Sequence, residues 1–459
     1  MFFSLIGYLV YFNIYKRDII NANENNTKQD TYQEQIIRGA ILSATGEILA
    51  GTNVDDEGNE ERLYPFNNVF SHIVGYADNG RSGIESTNNY DLLSSHASIL
   101  AQIRQEQQDV KVRGDSVVLT LDERLQRACY DALGVYNGAI VLIEPATGKI
   151  LAMVSKPDFN PNTISADWDN LVNDESNSSL FNRATQGQYP PGSTFKILTA
   201  LAYIRENPDN YQDFSYHCTS SVSREDVTIT CYHGAVHGTE NLKQAFANSC
   251  NTAFASIGME LDNGKFGELC ESFSFNSKLP LALPSSSSLF RLNKNASYGE
   301  EMMTAIGQGD TLVSPLQMAM VAATVANGGN MMTPYYIDRI ETYDGDLVKQ
   351  YKPTAYQKVM TTEETRVLTE YMTSVVEAGT ASALSGQSYS VAGKTGSAEY
   401  EINGEVAGTH SWFVGFGNIQ SPNVAIAVIV EDGGSGSTTA VPIARQILDT
   451  YYNYGDTYN

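Results

Sequence analysis

The sequence predicts an α+β chain whose main domain is built around one sheet. The strands of that sheet come from both ends of the domain, with helices on both faces. Three observations predict this. Gly138 to Ser155 reads as a hairpin turning at Pro145 to Gly148. Three more strand candidates stand near the C-terminus, at Ser390 to Ala398, Ser411 to Gly417 and Val424 to Glu431. A long helix-rich block separates the two groups.

Taken in order, the chain opens with an apolar run from Met1 to Tyr15, followed by Lys16 and Arg17. A full membrane span needs about 20 residues, so the run reads as the outer part of a clipped anchor. The basic pair after it is opposite to the usual positive-inside order, and missing upstream residues would reconcile the two. Asn21 to Thr31 is polar and Asn-rich, a linker. Ile36 to Gly51 holds two apolar runs around Ala44-Thr45-Gly46, a hairpin signal. The stretch up to Gln108, with amphipathic segments such as Tyr90 to Arg104, reads as a small extended domain.

Val110 to Thr120 then begins a strand that runs into a helix, with Leu121, Leu125 and Ala128 on one face. Val424 to Glu431 is apolar without alternation, so both its faces should be covered. Val441 to Tyr452 is a closing helix able to cover one of them. The expected division is a partial anchor at 1–15, a linker at 16–30, an N-terminal domain at 31–110 and the main domain at 111–459.

Composition narrows the function. Hydrophobic residues make up 42% of 459 and charged residues 18%, which is globular. The 29 basic and 53 acidic residues give a formal charge of −24, which argues against binding nucleic acid through its phosphates. The five cysteines, Cys129, Cys218, Cys231, Cys250 and Cys270, are too few and odd in number for a disulfide framework. Cys218 and Cys231 can pair across a hairpin, and His217, His233 and His237 nearby also permit a zinc reading. That spacing fits no standard zinc module, so a local disulfide or free thiols is preferred and no metal is expected.

Three segments can carry chemistry. In YPPGSTFKILTALAYI, from Tyr189 to Ile204, a helix starts at about Ser193, and Lys196 shares its face. The free N–H groups of a helix start favour developing negative charge on that serine. A serine hydroxyl is a poor nucleophile until something takes its proton. A lysine can take it only when neutral, so its pKa must fall from the usual ~10.4. Burial and a second nearby cation both push it down, so the motif predicts another lysine close in space. The plain alternative is an N-capping serine beside a solvated lysine, and S-x-x-K alone favours that.

In FANSCNTAF, from Phe246 to Phe254, Ser249 and Asn251 are two apart. A second hydroxyl can relay a proton to a leaving group, and the Asn251 amide can hold a substrate amide. The alternative is a helix break held by local side-chain bonds. In SVAGKTGSAEY, from Ser390 to Tyr400, Lys394 would be the second cation and Thr395 would bind a substrate carboxylate. Gly396 would let a ligand backbone approach. The Ser397 N–H, with that of Ser193, would form an oxyanion hole, each donor worth roughly 3 kcal/mol in the transition state. The alternative is an exposed lysine before a turn. Together, in the order S-x-x-K, S-x-N, K-T-G, the three segments outweigh their separate alternatives.

On these motifs the chain resembles the class B penicillin-binding proteins, in the short form without C-terminal accessory domains. The likeness extends to Arg38–Ala50, the SGIE at Ser82–Glu85, Glu144–Asn162, Asn182–Lys196, Ile306–Ala319 and His410–Phe416. It implies the serine β-lactamase/D,D-peptidase fold, a five-stranded antiparallel sheet between helices, with an N-terminal pedestal domain and a membrane anchor. Carried over residue by residue, it implies that Ser193 is the nucleophile, Lys196 the base, Ser249 the proton relay and Asn251 the substrate holder. Lys394, Thr395 and Ser397 fall on the family's strand motif. Cys250, the central residue of the second motif, is assigned no role, though a thiol there is open to oxidation.

The implied reaction is peptidoglycan D,D-transpeptidation outside the membrane. Ser193 attacks the D-Ala-D-Ala bond of a stem peptide and releases D-alanine, and an amine of a neighbouring stem takes the acyl group. A β-lactam mimics the first substrate and stays on the serine. No cofactor is implied, and a SEDS-type membrane glycan polymerase is the implied partner. The rival readings are a D,D-carboxypeptidase, a β-lactamase, a β-lactam sensor, or a β-lactam-binding scaffold of the wall machinery.

Overall fold

The computed structural model describes residues 36–98, 111–174, 176–402 and 405–453, together with Ser4 and Tyr8. The expected anchor and linker therefore fall, but for those two residues, outside the described residues, as does the expected boundary at 110. Among the described residues no helix is long and apolar enough to cross a membrane.

The chain forms two compact units, Met1–Glu123 with Asp158–Leu180 and Tyr336–Lys352, and Arg124–Pro157 with Phe181–Tyr335 and Pro353–Asn459. Each unit is assembled from three stretches of sequence. The first unit takes in Ser116–Leu119 and then reclaims Ile337–Glu341, because these two strands pair antiparallel. Its six-stranded sheet runs Leu347–Gln350, Ile337–Glu341, Ser116–Leu119, Ile41–Leu42, Ile48–Val54, Glu60–Leu63. The hairpin expected around Ala44-Thr45-Gly46 forms, with Ile41 opposite Ala50. Beneath it lies a buried ion cluster. Glu85 accepts from Arg38 Nε at 2.5 Å and from Arg62 Nε at 2.8 Å. Arg38 also donates to Asn89 Oδ1 at 2.5 Å, and Tyr64 to Glu85 at 3.2 Å. Burial pushes the Glu85 carboxyl up, but the two guanidinia outweigh it and hold the group below the usual carboxylate range.

The second unit holds a five-stranded antiparallel sheet. Its strands are β1 (Gly138–Ile143), β2 (Ile150–Lys156), β3 (Val391–Ile402), β4 (Glu405–Gly417) and β5 (Val424–Val430), in the order β3-β4-β5-β1-β2. β1 and β5 meet at the centre, Ala425 opposite Ile143 and Val430 opposite Gly138, so the two ends of the unit close the sheet. Every residue of β1 and β5 is buried, which explains their lack of alternation.

Six helices of this unit bear on the site. They are α1 (Lys196–Glu206), α2 (Leu242–Ala247), α3 (Asn251–Gly258), α4 (Pro315–Ala326), α5 (Thr362–Glu377) and α6 (Ala440–Asn453). α4 packs on β1, β4 and β5, α6 on β4 and β5, and α5 on β3. α1 is buried from Lys196 to Ile204 and is the central helix. One expected face is corrected. In the helix Glu123–Leu133 the buried residues are Gln126, Cys129 and Leu133, while Leu125 and Ala128 are half-buried. Gln126 goes inward because its amide serves the free edge of β2, donating to Met153 O and accepting from Met153 N, both at 2.8 Å.

Candidate active site

The Pro190-Pro191-Gly192 break ends in a 3₁₀ turn, Gly192–Phe195, that runs directly into α1. The helical path thus opens around Ser193 as expected, but tightly wound in its first turn. Ser193 is half-buried and Phe195 fully buried beneath it. Gly192 has φ 52° and donates its N–H to Gly307 O at 2.8 Å. Gly307, at φ 79°, must be glycine, since a Cβ there would lie 2.0 Å from Gly192 O. Trp412 Nε1 fixes the other side by donating to Pro190 O at 3.1 Å.

Lys196 is the first residue of α1 and has no exposed surface. Its Nζ donates to Asn251 Oδ1 at 2.7 Å and to Ser249 O at 2.8 Å, and lies 3.2 Å from Ser249 Oγ. Ser249 sits in the break between α2 and α3 at φ 58°, in the left-handed region. An L-residue there costs roughly 1–2 kcal/mol. In that conformation both the carbonyl and the hydroxyl of Ser249 meet the lysine. Asn251 Nδ2 donates to Thr230 O at 2.9 Å, which fixes the amide.

Lys394 comes from β3 and is also fully buried. Its Nζ donates to Ser249 Oγ at 2.9 Å and to Thr395 O at 3.2 Å. The second lysine required by the first motif is therefore present, bridged to Lys196 by the serine of the second. Thr395 Oγ1 lies 2.5 Å from Thr380 Oγ1. Ser397 Oγ accepts from Gly436 N at 3.2 Å. Gly396 has an internal reason to be glycine. A Cβ would meet Pro191 O at 3.0 Å and Thr194 Cγ2 at 3.1 Å, so the edge of β3 lies directly against the Ser193 turn. The amide of Gln308, oriented to match, bonds both Glu399 O and Glu399 N at 3.1 Å and holds the same edge.

Burial lowers the Lys196 ammonium from 10.5 to about 7, and neighbouring thiol and carboxyl charge opposes this only in part. Lys394 is pushed well below its ordinary value, by burial first and then by the charge of Lys196. A neutral Lys196 has two N–H donors. Asn251 Oδ1 and Ser249 O can take both, which leaves its lone pair for a hydroxyl proton. The geometry thus sets the Ser249 hydroxyl between two buried amines, with the Lys196 lone pair able to accept a proton. Thr380, Gly307 and Gln308 were not singled out by their chemistry, because each acts through close approach from a distant loop. The one clue was the IGQGD segment noted in the family likeness.

Of the two expected states of Cys218 and Cys231, free thiols are the one found. Cys218 Sγ and Cys231 Sγ are 3.7 Å apart, so no disulfide joins them, and all five cysteines are free. His217 pairs with Thr239 Oγ1 at 2.9 Å and His233 packs on Tyr232, so only His237 of the three candidates meets a sulfur. Cys250, assigned no role from sequence, joins them with its Sγ 3.8 Å from Cys231 Sγ. Cys218, Cys231, His237 and Cys250 thus place four donor atoms within 4.8 Å of one another.

The sheet, and the helix that opens beside its edge strand, define a serine acyltransferase fold. Residues 138–449 match the penicillin-binding protein transpeptidase domain, and residues 38–117 match the penicillin-binding protein A dimerisation domain. The chain belongs to the penicillin-binding protein transpeptidase family. It is 31% identical to the peptidoglycan D,D-transpeptidase PbpA of Mycolicibacterium smegmatis, over 95% of this chain and 93% of that one. It is 28% identical to the peptidoglycan D,D-transpeptidase MrdA of Acinetobacter baumannii, over 84% of this chain and 65% of that one. The ceftriaxone acyl-enzyme of penicillin-binding protein A from M. tuberculosis superposes with a TM-score of 0.84 at 28% identity, over 92% of this chain and 100% of that one.

Proposed function

We propose that this chain is a peptidoglycan D,D-transpeptidase acting through a Ser193 acyl-enzyme. The observation that carries the reading is the Ser249 hydroxyl, 3.2 Å from Lys196 Nζ and 2.9 Å from Lys394 Nζ. Neutral Lys196 takes the Ser193 proton as the oxygen attacks the D-Ala-D-Ala carbonyl. The backbone N–H groups of Ser193 and Ser397 hold the developing oxyanion. The proton passes by Ser249 to the leaving D-alanine nitrogen, and Lys394 holds that hydroxyl in place. Asn251 orients the substrate amide, and Thr395 takes its terminal carboxylate while Gly396 keeps the β3 edge close. An amine from a second stem then reverses the proton path and receives the acyl group.

The test is intact mass after benzylpenicillin on the wild type and on Ser193→Ala. A lasting adduct on the first alone supports the reading, and no adduct on either overturns it. Product analysis with an added acceptor amine separates the transpeptidase from a D,D-carboxypeptidase, which releases only hydrolysed stems.

Two finer assignments belong to the same reading. The apolar Met1–Tyr15 run anchors the chain with residues 111–459 as the extracytoplasmic transpeptidase part, residues 16–30 as linker and residues 31–110 as pedestal. A SEDS-type membrane polymerase supplies the glycan, as the resemblance to the class B penicillin-binding proteins implies. Cell fractionation with and without residues 1–15 tests the first, and in-cell cross-linking to the polymerase tests the second.

A further inference from the structure

We propose that Glu431, just past the end of β5, is a positioning residue for the nucleophile. It holds the Ser193 turn through Tyr189 and so sets the spacing of the two oxyanion donors. Its Oε1 accepts from the Tyr189 hydroxyl at 2.6 Å and from Arg183 Nε at 2.8 Å. Tyr189 stands four residues before Ser193. Arg183 and Tyr189 are each 7% exposed, so these bonds are made inside the protein rather than in competition with water. An ionised acceptor makes them stronger than bonds between neutral groups. Burial, and then the Glu431 charge, pushes the Tyr189 hydroxyl well above its ordinary pKa, so it stays protonated and donates.

The main chain around Tyr189 is tied down by other pieces. Tyr189 N donates to Val313 O at 2.9 Å, and Val313 N to Tyr189 O at 2.8 Å. Trp412 Nε1 takes up Pro190 O, and Gly307 O takes up the Gly192 N–H. The side chain is held separately. Its ring stands edge-on to His410, with centroids 5.4 Å apart and planes at 90°, and to Trp412, at 6.2 Å and 80°. Both neighbours belong to β4. Ring packing alone tolerates sliding and tilting, whereas a hydroxyl bonded to a fixed carboxylate sets the depth of the ring. Arg183 fixes that carboxylate in turn, and its own N–H donates to Ser155 Oγ at 2.9 Å.

The same corner reaches the strand of the other oxyanion donor. Asp432, next in sequence, accepts from the Tyr400 hydroxyl at 2.8 Å, and its N–H donates to His410 Nδ1 at 3.3 Å. Tyr400 stacks flat on His410, with centroids 4.4 Å apart and planes at 6°. One imidazole ring thus lies against both Tyr189, which leads to Ser193, and Tyr400, three residues beyond Ser397 on β3. Two neighbouring carboxylates serve the two tyrosines. An oxyanion hole works only when both donors meet one oxygen, so a small shift of the Ser193 turn against β3 slows the chemical step. This role rests on the Ser193 acyl-enzyme reading.

The test is stopped-flow acylation of the full chain by benzylpenicillin up to saturation, which separates the limiting rate constant from the dissociation constant. Tyr189→Phe should lower the limiting rate constant about tenfold and leave the dissociation constant within about twofold, with one adduct per chain still formed. Glu431→Ala should lose at least as much. Glu431→Gln, whose amide oxygen can still accept from Tyr189, should recover to within about threefold of wild type. The double variant Tyr189→Phe/Glu431→Ala should be no slower than Glu431→Ala alone by more than about twofold, since both changes remove one contact. Tyr189→Phe leaves Arg183 paired with Glu431, so it carries the test even where Glu431→Ala does not fold. An unchanged limiting rate constant in Tyr189→Phe would overturn the role, as would losses that multiply in the double variant. A fall in adduct stoichiometry at unchanged rate would also overturn it, because it marks misfolded chains rather than a misplaced nucleophile. A wild type that forms no adduct would remove the acyl-enzyme reading and this role with it. An acylating wild type beside an unaffected Tyr189→Phe would remove this role alone.

Discussion

Lys394 Nζ lies 2.9 Å from Ser249 Oγ, across 145 residues of sequence. The bond joins an edge strand to the break between two helices, and its acceptor is the same hydroxyl that lies 3.2 Å from Lys196 Nζ. A single oxygen thus stands between two buried amines.

Removing that oxygen should disable acylation without unfolding the chain. Ser249→Ala and Ser249→Gly should each slow benzylpenicillin acylation by about 10²–10⁴. They should differ in stability. At φ 58° the glycine variant should be the more stable of the two by ~1 kcal/mol. Stopped-flow acylation and urea unfolding check both. A rate within about threefold of wild type would remove Ser249 from the proton path.

The acylation rate should rise with pH through about 7, because burial brings Lys196 to that value. Below it the amine is protonated and cannot accept from Ser193, so the rate should fall roughly tenfold per pH unit. The stability effect has the same sign. In the folded state Lys196 gives up its proton near 7, whereas the unfolded lysine keeps it to ~10.4. Between these limits the unfolded chain binds more protons, so this group's contribution to stability increases with pH. A flat acylation profile from pH 6 to 8, or roughly that span, would contradict the neutral-base assignment.

Thr380→Val should weaken recognition of substrates that carry a carboxylate. Its hydroxyl lies 2.5 Å from that of Thr395 and orients it. Losing one such bond costs ~1 kcal/mol, so acylation should slow about fivefold to tenfold at limiting β-lactam and little at saturation. Thr380→Ser should restore the rate. An equal loss at both concentrations would point to the chemical step instead.

Gly307→Ala should damage the nucleophile's turn more than the fold. The new Cβ would lie 2.0 Å from Gly192 O, and alanine resists φ 79°. Acylation should fall by at least about tenfold while the far-ultraviolet spectrum is retained. An unchanged rate would show that the turn does not depend on this contact.

In the first unit, Glu85→Ala should cost about 3–5 kcal/mol, since it leaves Arg38 and Arg62 buried without their shared carboxylate. Because the folded carboxyl is held below its ordinary value, its contribution is full above the unfolded pKa and is lost as pH falls through the folded one. Chemical denaturation at neutral and acid pH measures both. A cost under about 1 kcal/mol would mean the cluster has little net worth.

Much of the sheet was legible because β1 and β5 are uninterrupted apolar runs, a pattern only a strand covered on both faces needs. The reach of the first unit was not, because the pairing of Ile337–Glu341 with Ser116–Leu119 leaves no mark in either segment. The face of Glu123–Leu133 was misread for a physical reason. Apolarity favours Leu125, but the unpaired main chain of Met153 draws Gln126 inward. In the site, S-x-x-K, S-x-N and K-T-G could be read because each is compact in sequence. Thr380 and Gly307 act through single contacts between distant loops. Cys218, Cys231 and His237 could be grouped from sequence, but Cys250 escaped because it reads as part of the S-x-N motif and meets them only on folding.

The pairing of β1 with β5 also sets an order of events in the life of the chain. A ribosome delivers Ser193, Lys196, Ser249 and Asn251 well before Lys394, and β5 last of these. Until then β1 lacks its central neighbour and Ser249 lacks one of its two amines. On the proposed mechanism, reactivity is switched on by completion of the molecule. A β-lactam therefore titrates finished chains, and a nascent or truncated one ending before Lys394 passes unmarked.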